Sequence, residues 1–94
     1  MTTNTKPTDH VRLGAIQAAI WRNTDTEGRV RFGVTFERRY RDSEGNWQSS
    51  DSYGRDELLT LAKAADLANT RIHELQAGER EASRAAEAAN QRSR

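Results

Sequence analysis

The clearest pattern in the chain is RVRFGVTFERRY, residues 29–40. There Val30, Phe32, Val34 and Phe36 form one row, and Arg29, Arg31, Gly33, Thr35, Glu37 and Arg39 form the other. A period of two places the rows on opposite faces of a β-strand, one buried and one wet, as in an antiparallel sheet covered on one side. A similar alternation starts at Leu13 in LGAIQAAIWRN, with Ile16, Ala18 and Ile20 on one side and Gln17, Ala19 and Trp21 on the other. It predicts a first strand over about 13–23. DTEG (25–28) stands between the two runs and DSEG (42–45) after the second. Both are tight-turn sequences whose glycine can take a positive φ. Two such turns predict a three-stranded meander, closed by a weakly apolar edge strand in NWQSSDSY, residues 46–53.

A helix follows. Gly54 or Ser52 is placed to cap it, and Asp56 and Glu57 sit in its first turn, where the helix dipole favours acids. Leu58, Leu61, Ala65, Ala68, Ile72 and Leu75 recur at three- and four-residue steps, a narrow stripe with a heptad-like period. This stripe is expected to cover the Val30/Phe32/Val34/Phe36 row and also to pair with the same helix of a second subunit. Beyond Leu75 no large apolar residue occurs, and Gly78 is the expected end of the packed helix. The fold class is therefore α+β: an antiparallel β-meander of three to four strands followed by one long amphipathic helix, dimeric. Residues 1–12 read as a flexible arm, 13–76 as the domain, and 77–94 as a polar helical extension or disordered tail.

Composition changes this picture in one respect. With 94 residues, 34% apolar and 31% charged, the chain buries little surface alone, which favours oligomerisation. There is no cysteine, hence no disulfide framework or thiolate metal site. The start, MTTNTKPTDH, does not resemble a signal peptide, and no run is long enough to cross a bilayer. A soluble, cytoplasmic protein is expected, nucleoid-associated if it binds DNA.

The net charge is only +1, yet its distribution is uneven. Residues 29–41 carry Arg29, Arg31, Arg38, Arg39 and Arg41 against Glu37, and lysine appears only at Lys6 and Lys63. Arginine offers a planar fork for phosphate and stacks on rings. With Val30 to Phe36 buried, Arg29, Arg31, Thr35 and Arg39 point outward, joined by Gln17 and Trp21. Tyr40 and Trp47 flank the second turn. Cations interleaved with aromatics suit single-stranded nucleic acid, whose bases stack on rings and whose phosphates follow the cations. Simpler roles fit the same residues: Trp21 as cover for a core edge, Tyr40 and Trp47 as a cross-strand pair, the arginines as guards of an edge strand. Alternation also sends Arg38 and Arg39 to opposite faces.

Catalysis has no foothold. His10 lies in the arm and His73 on the helix, and the serines at 49, 50 and 52 have no base nearby in sequence. Neither a metal-ligand spacing nor a Gly-rich phosphate loop is present. No cofactor is expected.

RRYRDSEG (38–45) and GRDELL (54–59), in the order meander then helix, resemble the single-stranded-DNA-binding domain of transcriptional positive cofactor four. AIQAAIWRN is similar to the first strand of small bacterial or phage proteins with that fold. The likeness spans about residues 13–76. It implies a homodimer whose helices pack together while the sheets present a groove for single-stranded or melted DNA, with little sequence preference. Arg38 and Tyr40 match the family's Arg-x-Tyr, and Trp47 lies near its post-turn segment. Family binding strands are usually lysine-rich, whereas residues 14–54 here hold six arginines against six acids.

The expectation is a non-enzymatic, homodimeric protein that binds single-stranded DNA, or RNA. Trp21, Tyr40 and Trp47 would stack on bases, and Arg22, Arg29, Arg31, Arg38, Arg39 and Arg41 would hold phosphates. The rival expectation is a protein-interaction module, such as a phage or plasmid accessory protein that occupies a host factor.

Overall fold

The computed structural model describes the backbone of residues 2–3 and 6–92, with side-chain surroundings over 6–89. Among these residues five strands are formed: β1 (Thr2–Thr3), β2 (Asp9–Leu13), β3 (Ile16–Thr24), β4 (Val30–Arg41) and β5 (Trp47–Ser50). A 3-10 turn (Arg55–Glu57) then leads into a single helix, α1 (Leu58–Arg92). Strands β2 to β5 form an antiparallel meander, and β1 pairs with the far end of β3 along the same edge as β2.

Strand β2 corrects the expected arm. Asp9–Leu13 pairs with β3 in the register Leu13↔Ile16 to Asp9↔Ile20. Val11 and Leu13 alternate with Arg12, and Gly14 takes φ +60° at the first position of the two-residue turn to Ile16. A positive φ there matches the type II′ hairpin turn, whose twist suits the flanking strands. Residues 1, 4 and 5 of the arm, and 93 and 94 of the tail, lie outside the described residues.

The two Asp-x-Glu-Gly turns are built alike. Gly28 N–H donates to the Asp25 carbonyl and Gly45 N–H to the Asp42 carbonyl, both at 3.0 Å. Each aspartate accepts two further backbone N–H groups through Oδ1: Glu27 and Arg29 at one turn, Glu44 and Asn46 at the other. Gly28 (φ +81°) and Gly45 (φ +82°) close the loops in the left-handed region, where a Cβ is strained.

Register assigns the faces. Opposite residues share a side, so Ile16, Ala18, Ile20, Arg22, Val30, Phe32, Val34, Phe36, Arg38 and Tyr40 all point to the helix side. Arg12, Gln17, Trp21, Arg31, Thr35, Arg39, Arg41 and Trp47 point to the open side.

The helix lies over β3 and β2, rather than over β4 as the apolar row suggests. Ala18 and Ile20 meet Ala68 in the buried core, with Val11, Phe32, Val34, Phe36, Ile72 and Leu75 packed around it. Alanine at 18, 64 and 68 allows close approach of helix and sheet; Ala64 and Ala68 are fully buried. The β4 row is consequently only half-buried.

The expected stripe is thus split. Leu61, Ala68, Ile72 and Leu75 turn toward the sheet, Ala64 replaces Ala65 there, and Ala65 and Leu58 are exposed. A straight helix drifts against a heptad pattern, so a stripe read with a 3.5-residue period leaves the packed face within a few turns. Positions 58, 62, 65 and 69 occupy the flank that also carries Gln76 and Arg80. Gln76 and Arg80 line a shallow recess with Val30 and Phe32, so this flank looks toward β4.

Two ion pairs fasten the helix. Arg71 Nε donates to Asp9 on β2, and Arg22 donates to Glu79 from Nε (2.6 Å) and Nη2 (3.3 Å). The helix runs on through Gly78 as a polar extension to Arg92, drawing the molecule out to 66 Å, and side chains 80–89 are all exposed. A single glycine costs a helix only about 1 kcal/mol against alanine, and the Ala/Glu/Arg-rich continuation has high helix propensity. No helix among the described residues is long and apolar enough to cross a membrane.

Candidate nucleic-acid interface

The nine residues singled out for nucleic-acid contact divide between the two faces of the sheet. Arg22, Arg38 and Tyr40 are on the helix side. Arg22 is held by Glu79 on α1. Arg38 Nε donates to the Ser52 carbonyl at 3.0 Å and lies 3.9 Å from Glu57, while its guanidinium stands 5.2 Å from the Tyr40 ring centre. The Arg-x-Tyr pair therefore sits on the helix side of β4, with Arg38 tied to the segment that joins β5 to the helix. The tertiary fold does not bring it to the open face.

Trp21, Arg31, Arg39, Arg41 and Trp47 do share the open face, with Arg29 at its turn end. Their surroundings differ. Trp21 is half-buried, and its indole N–H donates to Thr35 Oγ1 at 2.9 Å. Its ring covers the sheet and its one polar group is used. Arg29 pairs with Asp25 (3.1 Å) and Glu27 (2.8 Å), and Arg31 approaches Asp25 at 3.6 Å. Backbone N–H donation from Arg29 holds the Asp25 carboxyl below its ordinary pKa, so it is a standing anion beside both arginines.

The opposite end has another character. Arg12, Arg39 and Arg41 make no ion pair among the described residues. Arg41 and Arg39 lie 4.8 and 5.8 Å from the ring centre of Trp47. That ring is 57% exposed, the largest aromatic surface on this face. The register explains the grouping: Arg41 is directly opposite Trp47, and Arg39 is one same-face position along. Arg12 comes from β2, across the turn formed by Gly14 and Ala15. A cleft of about 360 Å³ opens between them, lined by Arg12, Gln17, Arg39 and Trp47 along with the turn backbone. Gln17 Oε1 itself is shut off from solvent and has no hydrogen-bond partner among the described residues.

Arg12 and Gln17 were not among the expected site residues. The signal was present in VRLGAI: Val11 and Leu13 already alternate, and Gly14 supplies the turn, so the hairpin that carries Arg12 to the face is readable. Among the described residues no group of three His, Asp or Glu side chains is placed to hold a metal.

No family model, curated protein or solved structure matches the chain.

Proposed function

We propose that the chain binds single-stranded nucleic acid on the open face of its sheet, centred on Trp47. One observation carries this reading: an exposed indole is flanked by Arg39 and Arg41, with Arg12 nearby, and none of the three guanidinium groups has a carboxylate partner among the described residues. An exposed ring stacks any base, and unpaired guanidinium groups hold phosphates without reading sequence. The face is a two-layer sheet's bare side, too broad for a duplex groove that admits a helix or ribbon.

Self-association belongs to the same proposal. Among the described residues only Ile16, Ala18, Ile20, Ala64 and Ala68 form the buried apolar core, while Leu58 and Leu59 are exposed and the β4 row is half-covered. So small a core gains most from burial against a second copy. A second chain across the helix flank and β4 would leave both open faces accessible.

Fluorescence anisotropy of a labelled oligonucleotide at several salt concentrations tests the binding. Three phosphate contacts predict a slope of log K against log salt of about −2 for a single strand. Absence of binding at low salt sinks the proposal. The rival reading, a module that captures another protein through the exposed Leu58/Leu59 flank, predicts a stoichiometric, nuclease-insensitive partner and no oligonucleotide binding.

A further inference from the structure

The cleft at the β2–β3 turn has the dimensions and chemistry of a site for one nucleotide, which a merely basic sheet face does not require. Its volume of about 360 Å³ lies at the small end of the range of roughly 300–1,000 Å³ for small-molecule sites. Three kinds of group converge on it. The Trp47 indole offers an aromatic wall. Arg12 from β2 and Arg39 from β4 bring two cations from different strands, each without a carboxylate partner among the described residues. Gln17, on the strand between these two, lines the floor of the cleft with its side-chain amide.

The backbone makes the arrangement stiff. Arg39 N–H donates to the Ala15 carbonyl at 2.8 Å, so the β2–β3 turn is tied to β4 beyond the last regular pair, Ile16↔Arg38. That bond fixes the separation between the strand that carries Arg12 and the strand that carries Arg39. Glu37 shares the open face opposite Gln17 but does not line the cleft. A dianionic phosphate between the two arginines would therefore meet cations on both sides.

We propose that this cleft is a single-nucleotide subsite that binds a nucleoside monophosphate unit. The base stacks on Trp47 with its edge toward the Gln17 amide, and the phosphate lies between Arg12 and Arg39. The inference rests on the nucleic-acid reading above and deepens it, by naming where one nucleotide is held and by what.

The experiment uses the full chain carrying Trp21→Phe, so that Trp47 is the only tryptophan, titrated with adenosine 5′-monophosphate, with adenosine and with inorganic phosphate. The monophosphate should quench Trp47 saturably. Adenosine and phosphate, each engaging half of the site, should bind roughly tenfold more weakly or worse, the scale of one lost charge-assisted hydrogen bond or one lost stacking contact. Arg12→Ala and Arg39→Ala should each weaken the monophosphate by a similar factor. Arg31→Ala, at the far end of the face, should leave it unchanged. If a thymidine oligonucleotide binds but the monophosphate does not quench at millimolar concentration, the subsite is wrong and the surface reading survives. If neither binds, both fall. Phosphate that binds as tightly as the monophosphate would reduce the cleft to a general anion site and overturn the assignment.

Discussion

The two hairpin turns begin with the same chemistry and end with opposite electrostatics. In both, an aspartate folds its own loop and a glycine closes it at a positive φ. At the DTEG turn the residue after the glycine is Arg29, whose guanidinium swings back onto Asp25 Oδ2, with Arg31 beside it. At the DSEG turn that residue is Asn46, and Asp42 Oδ2 takes the Gln48 amide at 3.2 Å instead. Arg39 and Arg41 are thereby left to lie against Trp47. Five arginines in residues 29–41 thus make a cationic surface at one end of the face only. A count of cations says little about potential until their partners are known.

The comparison can be broken most directly at Trp47. Trp47→Ala should weaken oligonucleotide binding by the worth of one stacked base, about 1–3 kcal/mol. Arg31→Ala should change it less than twofold. Equal losses in an anisotropy titration would mean that the two ends do not differ.

Next come the turns themselves. Replacing Gly28 or Gly45 by alanine forces a Cβ into the left-handed region and should cost about 1–2 kcal/mol each in urea denaturation. Open space surrounds both positions, so backbone strain is the cause expected to dominate. A cost near zero at either would show that its turn relaxes.

Asp25→Asn sharpens the contrast further. It keeps an oxygen for the backbone N–H groups but removes the charge that engages Arg29 and Arg31. Arg29 keeps its pair with Glu27, so Arg31 is the cation released; affinity for the oligonucleotide should rise at low salt, and the slope should steepen by about 0.7. Asp42→Asn, with no arginine partner to release, should leave the slope where it was. An identical response to the two substitutions would contradict the difference between the turns.

The smallest expected effect is acid sensitivity, which should be common to both. Backbone donation, chiefly from Arg29 and from Asn46, lowers the pKa of Asp25 and Asp42 from the ordinary 3.8. Hydrogen bonds from Arg71 and Arg22 likewise lower Asp9 and Glu79, the latter from 4.5. A carboxyl whose folded pKa is depressed contributes stability that is complete above its unfolded value and lost as pH falls through the folded one. Thermal melts should therefore be flat above about pH 5 and decline below the ordinary carboxyl range. Each Asp→Asn variant should show a shallower decline.

Much of this was legible in the residues. The Val30–Phe36 alternation locates β4, and its parity alone separates Arg39 and Arg41 from Arg38 and Tyr40. The repeated Asp-x-Glu-Gly places two turns. The first hairpin was harder, because Val11 and Leu13 give only two apolar positions before Gly14 and a polar start reads as an arm. On the helix, Ala64 rather than Ala65 meets the sheet, because alanine is at both and only the crossing of helix and sheet distinguishes them.

Local pattern determined the last three strands of the meander, the two Asp-x-Glu-Gly turns and the two faces of β4, since steric and hydrogen-bond preferences act over a few residues. Tertiary structure decided which strand the helix covers, which arginines are neutralised and which remain around Trp47. Those outcomes depend on contacts such as Arg22 with Glu79, Asp9 with Arg71 and Arg39 with Ala15. Each joins residues far apart along the chain, where only register and the crossing of the elements set the distance.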